Sequence, residues 1–225
     1  MIKLSRSKLE LLLECPRCFW LYAGKGIGRP FGPPFTINNA IDFLLKMEFD
    51  EHRKNGTAHY LIKREGIDAV PFLHDDIDKW RNTFTGIQYE DHENDFLVFG
   101  AVDDIWVDPK GNLIVVDYKA SGAKEGELYD SYKRQVEIYQ WLLRKNRFKV
   151  LSRAYFVYAR VNKDHGFAGG KLSFEIKVQP YDGDDSWVEG KIKEAKKVLA
   201  GPIPKSSPNC EYCNYRTDTE KFTLS

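Results

Sequence analysis

Neither sign of charge is in excess in these 225 residues: 34 lysines and arginines stand against 33 aspartates and glutamates. The balance argues against a protein that coats a polyanion, although a few basic residues lining one approach would suffice for a negatively charged ligand. Long hydrophobic runs are missing too, so no segment reaches the length of a membrane span and no membrane partner is expected. The opening stretch MIKLSRSKLELLLEC has only a short apolar run, interrupted by Glu10 and Glu14. No secretory leader is therefore expected, and a cytoplasmic location is. There is no internal repeat, which sets aside solenoid architectures.

Cysteine is scarce, at four residues, and a reducing compartment argues against a disulfide framework. All four nevertheless fall in two C-x-x-C pairs, Cys15 with Cys18 and Cys210 with Cys213, at opposite ends of the chain. With none left over, one shared tetrathiolate site is expected, tying the two ends together. Four thiolates suit either zinc or an iron–sulfur cluster.

The length fits one domain with a small appended lobe, and a hydrophobic content of 42% is enough for a core. The richest chemistry lies between Gly100 and Tyr139. Phe96 to Val107 and Leu113 to Lys119 are dense in β-branched and aromatic residues, and Asp108-Pro109-Lys110-Gly111-Asn112 between them is a turn cluster. Both predicted strands carry acids where a buried strand prefers apolar residues: Asp103 and Asp104 on the first, Asp117 on the second. Lys119 follows Asp117 by two positions, so both side chains share one strand face. In an antiparallel hairpin Asp103 can approach Asp117. Two carboxylates beside an ammonium make a hard oxygen site for Mg²⁺ or Mn²⁺ and a candidate hydrolytic centre.

These residues, Gly100-x-x-Asp103, Asp117-x-Lys119 and Gln135-x-x-x-Tyr139, resemble the motif set of the PD-(D/E)XK nuclease superfamily. Within it the chain is similar to the RecB-like branch, including the CRISPR-associated four-cysteine exonucleases, from Ser5 to Tyr215. The resemblance implies an α/β fold of restriction-endonuclease type, with a mixed central sheet flanked by helices. The nuclease core would run from about residue 36 to 200, with a cysteine-bound lobe formed by residues 1–35 and 201–225. It implies that Asp103, Asp117 and the backbone carbonyl of Tyr118 bind the catalytic metal. Lys119 would position or help deprotonate the attacking water, and Gln135 and Tyr139 would orient Lys119 or the DNA strand. Asp104 is a secondary candidate. Relatives often place a metal-binding histidine in the helix preceding these strands. None matches here; Asp42 is the candidate replacement, and the alternative is a plain Asp42–Lys46 surface pair. The resemblance favours a [4Fe–4S] cluster at Cys15, Cys18, Cys210 and Cys213, held in relatives by one cysteine near the start and three near the end. The two-and-two arrangement here is also ordinary for zinc.

The implied activity is metal-dependent hydrolysis of DNA, as an exonuclease in repair or in CRISPR adaptation with proteins of those pathways as partners. The alternative is a nucleic-acid-binding or assembly module of the same fold without cleavage. Elsewhere, periodicity predicts a first helix capped by Ser5 or Ser7. A helix over about 37–54 follows, with Ile37, Ile41, Leu44, Leu45 and Phe49 as its apolar stripe. A strand near Tyr60–Lys63 and a helix over about 75–83 come next. A strand over 86–92 should then complete a three-stranded meander with the central hairpin. A helix over about 127–145, two strands flanking an exposed turn at His165, and a final helix capped by Asp185 close the chain.

Overall fold

The computed structural model of the protein describes residues 1–30, 32, 36–121, 128–164 and 166–223. In chain order its elements begin with β1 (Ile2–Ser5), α1 (Arg6–Glu14), α2 (Pro16–Lys25), α3 (Thr36–Asn55) and α4 (Tyr60–Arg64). There follow β2 (Val70–Pro71), α5 (Ile77–Arg81), β3 (Ile87–Asp91), β4 (Phe96–Gly100) and β5 (Asp104–Val107). The chain ends with β6 (Leu113–Ser121), α6 (Asp130–Lys145), β7 (Arg153–Asn162), β8 (Ser173–Asp182), α7 (Val188–Ala200) and α8 (Glu211–Thr223). These form two compact units: Met1–Pro33 with Gln88–Phe99 and Ser186–Ser225, and Pro34–Ile87 with Gly100–Asp185. Among the described residues no helix is long and apolar enough to cross a membrane.

The second unit holds a five-stranded mixed sheet in the order β2-β5-β6-β7-β8. Among the described strands of this sheet, only the β6–β7 pairing is parallel, and α6 lies in its crossover. Strand alternation divides the faces of β6. Ile114, Val116 and Tyr118 pack with Leu45 and Phe49 of α3, Leu61 and Ile62 of α4, and Trp106 of β5. Asp117 and Lys119 therefore point to the other face, where α6 brings Gln135 to Lys119. The sheet is thus flanked by helices on both faces, and the chain has the mixed α/β architecture expected.

The first unit is built on a three-stranded sheet, β1-β4-β3, with β1 and β4 parallel. Ser5 caps α1 by accepting a hydrogen bond from the Lys8 N–H at 3.2 Å. Pro16 opens α2, where a missing N–H costs nothing, and Gly26 at φ +72° closes it. Leu4, Leu9, Leu12, Phe19, Phe96, Val98, Val188 and Ile192 are buried in this unit.

Several local expectations are corrected. The three-stranded meander does not form: β3 and β4 pair in one sheet, whereas β5 and β6 pair in the other. The predicted strand over 96–107 breaks at residues 101–103, because the chain must pass close under α6 there. A side chain at Gly100 would place Cβ 2.7 Å from the Tyr139 ring, and one at Gly86 would meet the Gly100 carbonyl at 2.4 Å. Tyr60–Arg64 is helical, not a strand, with His59 Nδ1 accepting from the Leu61 N–H at 3.3 Å to cap it. The apolar stripe of α3 is narrower than its spacing suggests: Leu45 and Phe49 are buried, whereas Ile37 and Leu44 are exposed. Asp185 does not cap α7, which starts after Trp187; it forms an ion pair with Arg144 instead. The short strand β1, ahead of α1, and the C-terminal helix α8, which follows Cys210, are elements that periodicity alone did not signal. His165, expected in an exposed turn, and Glu127, expected at the start of α6, lie outside the described residues.

Candidate functional site

Two chemically distinct centres emerge, one in each unit. The first lies where β5 begins and β6 continues past it. The β5–β6 register ends at Asp104 opposite Val116, so β6 runs on beyond its partner on that side. Asp103, just before β5, fills the gap: its Oδ2 accepts from the Tyr118 N–H at 3.0 Å. In an extended strand the N–H and C=O of one residue point the same way, so the Tyr118 carbonyl faces this same opening. The Asp103 carbonyl is itself held by Arg81 Nε at 3.0 Å.

Asp117 is completely buried, and the Lys119 ammonium lies against it as an ion pair. Neither Asp117 oxygen nevertheless has a hydrogen bond of good geometry among the described residues. Burial foremost, with Asp103 adding to it and Lys119 opposing, pushes the Asp117 carboxyl up to about 7. Burial would lower Lys119, but Asp117 and Asp103 outweigh it, and its pKa ends above the ordinary value. Lys119 Nζ also lies 3.4 Å from Gln135 Oε1 and 4.5 Å from the centre of the Tyr132 ring. Gln135 Nε2 donates to the Tyr139 hydroxyl at 3.0 Å, the product of their i, i+4 spacing on α6. The glycine at 100 is what lets the Tyr139 ring approach.

Asp42 pairs with Lys46 at 2.7 Å, and Lys46 Nζ reaches Asp103 Oδ1 at 3.5 Å. The pair is therefore not a detached surface contact. Burial, then the Asp103 charge, raise the Asp42 pKa. Asp104 points to the opposite face and is fully used there. It accepts from Arg53, from Arg81 at 3.1 Å and from the Tyr118 hydroxyl at 2.6 Å. Arg81 also grips Asp50 at 2.8 and 2.9 Å.

The structure thus brings Asp103, Asp117, Lys119, Gln135 and Tyr139 together, places Asp42 beside them through Lys46, and turns Asp104 away. Sequence reasoning missed Lys46 as a bridge, Tyr132 and Tyr158. Tyr158 sits opposite Lys119 in the β6–β7 register, and its buried hydroxyl has no hydrogen-bond partner among the described residues. Burial pushes it up to about 12. No spacing rule links positions 119 and 158, because strand register is not local.

The Asp117 oxygens, without a hydrogen-bond partner among the described residues, the Asp103 carboxylate and the Tyr118 carbonyl are hard oxygen donors. They fit a divalent cation such as Mg²⁺ or Mn²⁺.

The second centre is the cysteine cluster. Cys15 and Cys18 stand at the start of α2, and Cys210 and Cys213 at the start of α8. All four are buried and unpaired by disulfides, and their sulfurs lie within 4.8 Å of one another. Sγ–Sγ distances are 3.6 Å for Cys18–Cys210, 3.6 Å for Cys18–Cys213 and 3.9 Å for Cys15–Cys213. Burial acts to raise the Cys15 thiol, yet the backbone amides of Cys18 and Ser207 and the neighbouring thiols bring it down to about 7. The four sulfurs could hold a metal.

Residues 37–217 match the sequence model of the PD-(D/E)XK nuclease superfamily. No curated protein matches the chain. Among solved structures, a crystal structure of SSO0001 is 15% identical with a TM-score of 0.49, over 96% of this chain and 84% of that one. A phage-related exonuclease from Haemophilus somnus 129PT is 13% identical with a TM-score of 0.41, over 82% of this chain and 77% of that one. Likeness at this level carries no functional argument.

Proposed function

Because the chain belongs to the PD-(D/E)XK nuclease superfamily, we propose that it is a divalent-metal-dependent nuclease that hydrolyses DNA, with Asp103, Asp117, Lys119, Gln135 and Tyr139 at its centre. The observation that carries this reading is the buried Asp117 with two unsatisfied oxygens, set between Asp103 and Lys119. Asp103, Asp117 and the Tyr118 carbonyl would hold Mg²⁺ or Mn²⁺, with Asp42 reaching it once Lys46 moves aside. The ion supplies Lewis-acid activation of the scissile phosphate and of water when bound.

The remaining roles belong to the side chains. Lys119 is kept protonated by two carboxylates, so it acts as a fixed positive charge. It would orient the attacking water by donating to it and stabilise negative charge gathering on the phosphate oxygens. Gln135 holds the ammonium from α6 and is itself held by Tyr139. Both are almost fully buried, which suits positioning of Lys119 better than direct contact with a strand of DNA. Exonuclease action, and a place in repair or CRISPR adaptation, rest only on the likeness of the motif set.

The test is incubation of the protein with end-labelled single- and double-stranded DNA in Mg²⁺, Mn²⁺ or EDTA. Cleavage should require the metal and fall by about 100-fold or more in Asp117→Ala and in Lys119→Ala, the usual loss for one electrostatic stabiliser. Cleavage that persists in EDTA or in both variants sinks the assignment. The second reading, a binding module without cleavage, is favoured by one feature: no histidine matches the motif in the preceding helix, and Asp42, the candidate replacement, is paired with Lys46. DNA binding with no cleavage in any metal would select it.

A further inference from the structure

We propose that Cys15, Cys18, Cys210 and Cys213 bind a single tetrahedral zinc ion, not the [4Fe–4S] cluster that the family likeness implies, and that Arg29 is its outer partner. This rests on the cysteine unit alone and is independent of the nuclease reading.

The argument is one of distance. Two thiolates on one zinc, each bonded at about 2.3 Å, cannot be separated by more than about 4.6 Å, and at the corners of a regular tetrahedron they lie about 3.8 Å apart. The three contacts of 3.6, 3.6 and 3.9 Å match that edge, and the widest pair, within 4.8 Å, need close only slightly to fall under that ceiling. In a four-iron cluster each thiolate binds a different iron, and the body of the cluster lies between them. The sulfurs must then stand much farther apart than twice one metal–sulfur bond. To admit a cluster, α2 and α8 would have to separate, since each carries one pair at its start.

The sequence pattern agrees with the distances. Each pair is a C-x-x-C turn leading into a helix, the arrangement by which two short loops close a tetrahedron around one ion. Zinc with four thiolates carries a net charge of −2, and a cation beside the sulfurs offsets part of it. Arg29 supplies one: its Nη2 lies 3.7 Å from Cys210 Sγ. The guanidinium is fixed in place by Glu14 and by the Tyr212 ring, 4.6 Å from its centre. Metal ligands are commonly oriented by such outer partners, whose removal weakens binding by about 10- to 100-fold.

The experiment uses the full chain purified anaerobically, with zinc, iron and acid-labile sulfide measured per chain. One zinc, no sulfide and no visible colour are expected. Exchange with Co²⁺ should then give the intense visible bands of a tetrahedral thiolate site. Arg29→Met should fold and bind, but yield zinc to a competing chelator at a roughly 10- to 100-fold lower chelator concentration than the parent. Iron and sulfide in cluster stoichiometry would overturn the proposal. So would a metal-free chain that takes up neither added Zn²⁺ nor Co²⁺. An Arg29→Met chain with unchanged zinc affinity would remove Arg29 from it.

Discussion

In the five-stranded sheet, Asp117 is wholly buried with the Lys119 ammonium against it, and Lys46 stands close to Asp103. In the other unit four buried cysteines gather around one another with Arg29 at their edge. Both centres concentrate groups that are negative when ionised, but they balance that charge differently. The carboxylate centre carries its own cations, and its buried acid can also take a proton near neutrality. The proposed metal there would accordingly not be needed for folding and would be exchangeable. Four thiolates against one guanidinium have no such balance, so the ion proposed there would be resident, bound as the chain folds. A third arrangement sits one residue from the first. Asp104 is as buried as Asp117 but is saturated by Arg53, Arg81 and Tyr118. Saturation separates Asp104 from Asp117, whose oxygens have no hydrogen-bond partner among the described residues and which is the proposed metal ligand.

The sharpest way to break this comparison is metal removal. Structural zinc contributes about 10–16 kcal/mol of binding free energy in small domains. A chelator strong enough to strip the cysteines should therefore lower the melting temperature of the chain steeply. One that removes only Mg²⁺ should leave it nearly unchanged. Calorimetry with both chelators decides, and equal effects would erase the distinction.

The next largest effect is expected from Arg53→Met. It removes one of the two guanidiniums on the buried Asp104 charge; breaking such a buried pair typically costs about 3–5 kcal/mol, and Arg81, which still holds Asp104, should keep the loss at the low end. Lys119→Met should cost clearly less, because Asp117 can protonate. Urea unfolding of the two variants at pH 6 compares them directly, and a larger loss for Lys119→Met would reverse the roles of the two acids.

Asp117→Asn separates function from stability. Cleavage should fall by about 100-fold or more, while unfolding midpoints at pH 8 stay level or rise, because a neutral amide replaces a desolvated charge. A variant that loses activity and stability together would assign Asp117 a structural duty like that of Asp104.

The smallest effect is the pH dependence of the metal-free chain. The folded-state pKa of Asp117, about 7, is raised above its ordinary value of 3.8. The folded state therefore binds the extra proton in between. Its contribution to stability is complete below about pH 4 and is lost as pH rises through about 7. The same proton competes with metal, so the apparent affinity for Mn²⁺ should weaken up to about tenfold per unit below pH 7 and level off above it. Mn²⁺ titrations from pH 5.5 to 8.5, with Asp117→Asn as control, test both signs. A flat profile in the parent chain would mean that Asp117 is already ionised throughout.

What the sequence determined by itself is local. A period of two puts Asp117 and Lys119 on one strand face, and a period near four puts Gln135 and Tyr139 on one helix face. The C-x-x-C spacing makes two turns that each bring a pair of cysteines together. Each of these follows from backbone geometry over a few residues. Tertiary structure alone decided the rest. It broke the strand expected over 96–107 at Asp103, because Gly100 must pass beneath the Tyr139 ring. It sent β3 and β4 to one sheet and β5 to another, although both choices satisfy the same alternation of apolar residues. It set Tyr158 opposite Lys119 and carried Lys46 from α3 to Asp103, pairings between positions 39 and 57 residues apart. Register, crossovers and the separation of the four sulfurs depend on how whole elements pack, and no periodicity within one element encodes them.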